Sequence, residues 1–100
     1  MFDIGIDASG RVSISGRLDA AQAPHAQEFL DRVADSCVID MSHLEYISSA
    51  GLGVLLRTHK RLMGHGNGIR LVNVSTHIND IFTYSGFDRL FEIEAAGIEP

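Results

Sequence analysis

Between residues 20 and 93 the chain passes three times from a helix-period stretch to a short strand-like run, which restricts the fold more than any other feature. From Ala20 to Ala34, the residues Ala23, Ala26, Phe29, Leu30 and Val33 recur at helical spacing, and Pro24 falls in the first turn, where proline is tolerated. "CVIDM" at 37–41 is a continuous apolar run ended by Asp40, as expected of a buried central strand. "SHLEYIS" then reads as a loop leading into the strongest helix pattern, with Leu52, Leu55, Leu56, Leu62 and Met63 on one stripe. Arg57, Lys60 and Arg61 fall largely off that stripe, toward the helix C-terminus, where the macrodipole favours cations. "GHGNG" ends the helix, with a C-cap at Gly64, and "IRLVNV" is the next strand. "STHINDIFTYSG" opens on a serine or threonine cap and carries Ile78, Ile81 and Phe82, and "LFEI" reads as a final strand.

Two alternating segments precede this series. "FDIGID" and "RVSISGRL" are joined by "ASG" and predict an antiparallel hairpin. Phe2, Ile4 and Ile6 share one face of the first strand, and Val12, Ile14 and Leu18 one face of the second. The whole order predicts an α/β domain with a mixed, mostly parallel sheet, an N-terminal hairpin and crossover helices packed on the sheet. One hundred residues suffice for a single domain, residues 1–100, and leave no room for a second core.

Composition removes several classes of function. The net charge of −5 and the scattered cations argue against a nucleic-acid partner. Cys37 is the only cysteine, which excludes an internal disulfide and a thiolate metal cluster, and its apolar surroundings suit a small buried hydrophobe. The opening "MFDIGIDASG" lacks a signal-peptide pattern, and no stretch approaches the roughly 18 apolar residues of a membrane span. A cytoplasmic protein with no direct membrane insertion is expected.

The five histidines, at 25, 43, 59, 65 and 77, offer no i, i+4 pair and no adjacent cysteine, so no metal site is predicted. His59 lies in the apolar stripe of the long helix, where a core-edge histidine is the ordinary reading. "GHGNG" follows a helix and precedes a strand, the reverse of the order a phosphate-cradling loop needs. "YISSAGLGV" at 46–54 has the right order, strand then loop then helix N-terminus, where backbone amides lack partners. It contains no lysine for a nucleoside triphosphate, and no histidine is placed by sequence to activate a serine. On spacing alone a serine there is a helix cap, and Ser48 and Ser49 stay undistinguished.

A longer stretch adds a resemblance. "VIDMSHLEYISSAGLGVLLRTHKRL", residues 38–62, closely resembles the signature of the STAS domain, specifically of bacterial anti-sigma factor antagonists. "GRLDAA" at 16–21 and "IFTYSGFDRLFEI" at 81–93 resemble two further family segments in the same order. The resemblance implies the STAS fold and a non-enzymatic regulator with no cofactor and no catalytic residue. Its implied partners are an anti-sigma serine kinase of the histidine-kinase-like ATPase fold and a PP2C-type phosphatase. The kinase phosphorylates the serine two positions before the family glycine, here Gly51, which makes Ser49 the implied switch.

Residue by residue, the resemblance sets Asp19, Asp40, Ser48, Ala50, Gly51 and Leu52 at the partner-binding region. Asp19 is expected on the kinase-facing surface, Asp40 is expected to hold the loop or to sit near the phosphate, and Ser42 reads as a turn residue. Ser48 stands where many members carry aspartate, and Ala50 replaces a common serine or threonine. The sequence stops at "FEIEAAGIEP", short of the C-terminal helix of many antagonists, either because that helix is absent or because the sequence is cut short. In either case a partner or a second copy in a homodimer is expected over the surface it would cover. A second function class follows from the same family: short STAS proteins also brace the ATPase of ABC-type phospholipid-transport complexes.

Overall fold

The hairpin forms where the alternating segments place it. In a computed structural model that describes residues 1–96, β1 (Phe2–Ile6) lies antiparallel to β2 (Val12–Leu18), with Ile4 opposite Ile14. Asp7 fixes the connecting turn: its Oδ1 accepts from the Ser9 amide, the Ser9 hydroxyl and the Arg11 amide. Ile6, at the turn end of its strand, is 60% exposed although it shares a face with buried Ile4.

The rest follows the three predicted passages. α1 (Ala23–Leu30), β3 (Cys37–Ile47), α2 (Ser49–Met63), β4 (Ile69–Val74), α3 (Thr76–Ser85), a short 3-10 turn at Phe87–Arg89 and β5 (Glu92–Ala95) complete the chain order. The five strands stand in the order β1-β2-β3-β4-β5, and every pair from β2 onward is parallel. Strand order matches chain order because each helix carries the chain over to the next neighbouring position. One contiguous core includes Ile14, Leu18, Ile39, Met41, Leu55, Leu62, Leu71, Ile78 and Phe82. No helix among the described residues is long and apolar enough to cross a membrane.

Four expectations need correction. Residues 42–47 are not a loop but the second half of β3. Against β2, this strand carries an extra residue twice, between the pairs Ser13–Asp40 and Ser15–His43 and again between Gly16–Leu44 and Arg17–Tyr46. Each bulge resets the inside-outside alternation, so the buried residues fall at Met41, Leu44 and Ile47, a spacing of three that conceals a strand. Helix α1 is shorter than its pattern, ending at Leu30 before a turn. Met63 ends α2 with 57% exposure rather than in the core, and buried Thr58 joins the inner face instead. β5 begins at Glu92, two residues later than read, because Phe91 turns inward against His59 and Phe82.

His59 accepts a hydrogen bond at Nδ1 from the Ile69 amide at 3.0 Å, which ties the second half of α2 to the start of β4. Gly16 carries φ of +83°, and a β-carbon there would overlap the carbonyl oxygen of Met1, which accepts from the Arg17 amide. That close approach coincides with the second register shift between β2 and β3.

Candidate functional site

The C-terminal ends of β2 and β3 lie side by side, with Leu18 opposite Ile47. The Ser48 amide donates to the Leu18 carbonyl at 2.9 Å, extending the ladder one residue beyond the strands. From that point β2 turns into α1 and β3 turns into α2, so both helix entrances share one corner of the molecule.

Ser48 is the N-cap of α2. Its backbone is extended, its Oγ accepts from the Gly51 amide at 3.2 Å, and its carbonyl accepts from the Leu52 amide. One otherwise unpartnered amide of the first turn is thereby satisfied. Ser49 is the first residue of the helix and is exposed, and among the described residues its hydroxyl makes no hydrogen bond. The two neighbouring serines thus divide two roles: Ser48 closes the helix and Ser49 presents a free hydroxyl. Ser48→Ala is expected to lower stability by about 1 kcal/mol. Ser49→Ala is expected to leave it unchanged, a contrast that thermal melts of the two variants would measure.

Asp19 stands at the same corner, half-buried, at the entrance to α1. Its Oδ1 and its carbonyl both accept from the Gln22 amide, and the carbonyl also accepts from the Ala23 amide. Its carboxylate therefore shapes the turn as well as giving the corner a negative charge. Arg17, one residue before Leu18, lies 4.5 Å over the ring of Tyr46.

Two other predicted site residues, Gly51 and Leu52, are not at this surface. Leu52 is 4% exposed and belongs to the core, and Gly51 is buried beneath it. A β-carbon on Gly51 would stand 2.8 Å from side-chain carbons of Ile47 and Leu18 and 2.9 Å from the Leu18 carbonyl oxygen. Both residues seat the helix on the strand ends, so direct partner contact is corrected to a supporting position. Ala50 is half-buried against the core.

Asp40 is also separated from Ser49. It pairs with Ser13, five residues of β2 before Leu18, which is about 17 Å of strand. Of the two expected positions, the one near a phosphate on Ser49 is excluded. Asp40 instead braces the first bulge of β3: its Oδ1 accepts from the Ser42 amide at 2.9 Å and from the side-chain amide of Asn73 at 3.2 Å. Asn73 holds a positive φ of 56°, a conformation asparagine tolerates better than most residues. Ser42 lies inside this bulged strand, and its hydroxyl hydrogen-bonds to His43.

Burial pushes the Asp40 carboxyl up, but the bonds from Ser42 and Asn73 and the charge of Arg11 outweigh it and hold its pKa below the ordinary value. Because the folded pKa is the lower one, ionised Asp40 stabilises the fold above the unfolded carboxyl pKa near 3.9. That contribution is lost as pH falls through the lower, folded value. Asp40→Asn should therefore melt with a shallower acid limb below about pH 4, measured as Tm against pH. Burial also pushes the Cys37 thiol up to about 11, which keeps it protonated and unreactive at neutral pH.

One residue gains a position that sequence did not show. Arg57 leans back along α2 so that its Nη1 lies 3.2 Å from where a β-carbon of Gly53 would stand. Its Nε donates to Gln27 of α1 at 3.0 Å. The available sequence signal is a glycine four residues before an arginine on an exposed helix ridge.

Comparison with known proteins agrees with this architecture. A family model described as "Mlab, STAS domain" matches residues 5–93. An anti-sigma-B factor antagonist of Bacillus subtilis is 31% identical over 91 residues, covering 85% of this chain and 81% of that protein. An anti-sigma-factor antagonist (STAS) domain protein from Planctomyces limnophilus has a TM-score of 0.74 at 19% identity, covering 96% of this chain and 91% of its own. The Bacillus cell fate determinant SpoIIAA in its phosphorylated form gives 0.66 at 18% identity, over 93% of this chain and 90% of its own. The structural likenesses speak for the fold, and the sequence match carries the relationship further.

Proposed function

The chain belongs to the STAS domain family, and we propose that it is a single STAS domain acting as an anti-sigma factor antagonist switched at Ser49. The observation that carries this reading is the division of labour between the serines: the cap is made by Ser48, which leaves the Ser49 hydroxyl exposed and uncommitted. The existence of a phosphorylated form of SpoIIAA, a protein of the same fold, supports it.

In this reading the unphosphorylated corner formed by Asp19, Ser48, Ser49 and Ala50 binds an anti-sigma serine kinase, which then gives up its sigma factor. The kinase transfers the γ-phosphoryl group of ATP to Ser49 Oγ, with loss of the hydroxyl proton and release of ADP. A PP2C-type phosphatase restores serine by hydrolysis to inorganic phosphate. The domain itself is a regulatory binding module rather than an enzyme.

The modification adds about −1.5 to −2 charges at neutral pH. The free domain tolerates that charge, because the first turn of α2 supplies positive dipole and water reaches the exposed site. A partner covering the corner must strip that water away, which costs several kcal/mol where no cation meets the phosphate. Asp19, and Glu45 on the exposed side of β3, would add repulsion toward it.

Incubation with the cognate anti-sigma kinase and ATP, followed by mapping of the phosphate, tests the assignment. Phosphate on Ser49 is expected, and phosphate on Ser48, or none, would overturn it. Co-purification separates the two family functions: an ABC-type ATPase recovered in place of the kinase would select the transport-complex role.

A further inference from the structure

Arg57 is anchored at one end and open at the other. Its Nε is bound to Gln27, whose Nε2 in turn donates to Asp31 at 2.9 Å. Among the described residues no carboxylate lies within ion-pair distance of the guanidinium, and the ion pair present is Arg70–Glu94 at the far strands. Lys60 and Arg61 lie farther along α2, and Arg61 is committed to the Leu30 carbonyl at the end of α1.

The guanidinium lies over Gly53, with Nη1 at 3.2 Å and Cζ at 3.9 Å from the position of its absent β-carbon. Gly53 is one helical turn beyond Ser49. Side chains four residues apart on a helix have β-carbons about 5–6 Å apart, and long side chains lean toward the helix N-terminus. A side chain at position 53 would stand between Arg57 and Ser49, and glycine leaves that path clear.

We infer that Arg57 is the internal partner of a phosphate carried by Ser49, reached through the gap at Gly53. This rests on the reading of Ser49 as the phosphate acceptor. A guanidinium presents parallel N–H donors that match two phosphate oxygens, and its free Nη donors suit that geometry. Arg57 then holds the phosphate along the exposed ridge of α2 and favours its fully ionised form. The other charges on the elements that meet here are Asp19 on the turn into α1, Glu45 on β3, Arg17 over Tyr46, and Asp31, which is bonded to Gln27 at the far end of α1.

The test needs no kinase. Phosphoserine is incorporated at position 49 during synthesis of the full chain, and its second ionisation, ordinarily near pH 6, is followed by phosphorus NMR. Arg57→Gln should raise that pKa by about half a unit or more relative to the otherwise unchanged chain. Gly53→Ala should raise it by less. Arg11→Gln removes the same charge seven strand residues from Leu18, about 23 Å away, and should leave it where it was. Equal pKa values with and without Arg57, or an equal shift from Arg11→Gln, would overturn the inference. A normal result here with no kinase-dependent phosphate on Ser49 would remove the switch reading and leave the pairing intact.

Discussion

Ser49→Asp should bind the anti-sigma kinase at least about a hundredfold more weakly than the unmodified chain, with a melting temperature that is not lowered. Ser49→Ala should bind as well as the unmodified chain but fail to be released when ATP is added. Ser49 lies outside the core, makes no cap and is exposed, so either replacement leaves the fold alone. A carboxylate at the first helical position is even favoured within the free domain by the helix dipole. In the complex it must lose its water beside the negative charge of Asp19. Titration calorimetry or surface binding of both variants against the kinase measures the difference. Equal affinities would sink the charge mechanism, whatever the site of phosphorylation.

The order of elements was legible because helix and strand periods alternate cleanly and caps mark the boundaries. Ser75 caps α3 through the Ile78 amide, and Gly86 closes it at φ +79°, as "STHINDIFTYSG" suggests. The far half of β3 was not legible, because two bulges shift its buried positions to a period that fits neither regular strand nor helix. The position of Asp40 follows from this difference. A loop beginning at residue 42 would have folded it back toward Ser49, whereas an extended strand carries it away. Periodicity was equally unable to separate Ser48 from Ser49, since adjacent residues at a helix entrance differ in backbone conformation rather than in pattern. The motif resemblance implies Ser49, and the structure separates the two serines by the cap bond that Ser48 makes. The placement of Arg57 was not legible, because its lean back over Gly53 depends on the direction its side chain takes.

Gly51→Ala and Gly53→Ala should shift stability in opposite directions although they lie two residues apart on one helix. Replacing glycine by alanine inside a helix ordinarily gains about 1 kcal/mol. At position 53 the new methyl group meets only the end of the flexible Arg57 side chain at 3.2 Å, so the gain should survive in large part. At position 51 it meets Ile47 and Leu18 side chains at 2.8 Å and the Leu18 carbonyl at 2.9 Å. The carbonyl is already fixed by its bond from the Ser48 amide, so it cannot move aside without opening the strand-to-helix corner. Overpacking of that kind costs about 1–3 kcal/mol, which exceeds the helix gain. Each net kcal/mol should appear as about 4–8 °C in the melting temperature of a domain this size. Displacement of the corner should also weaken kinase binding by Gly51→Ala, while Gly53→Ala, whose backbone stays in place, should still bind. A stabilised Gly51→Ala variant would mean that α2 does not rest on the ends of β2 and β3 as closely as this geometry requires.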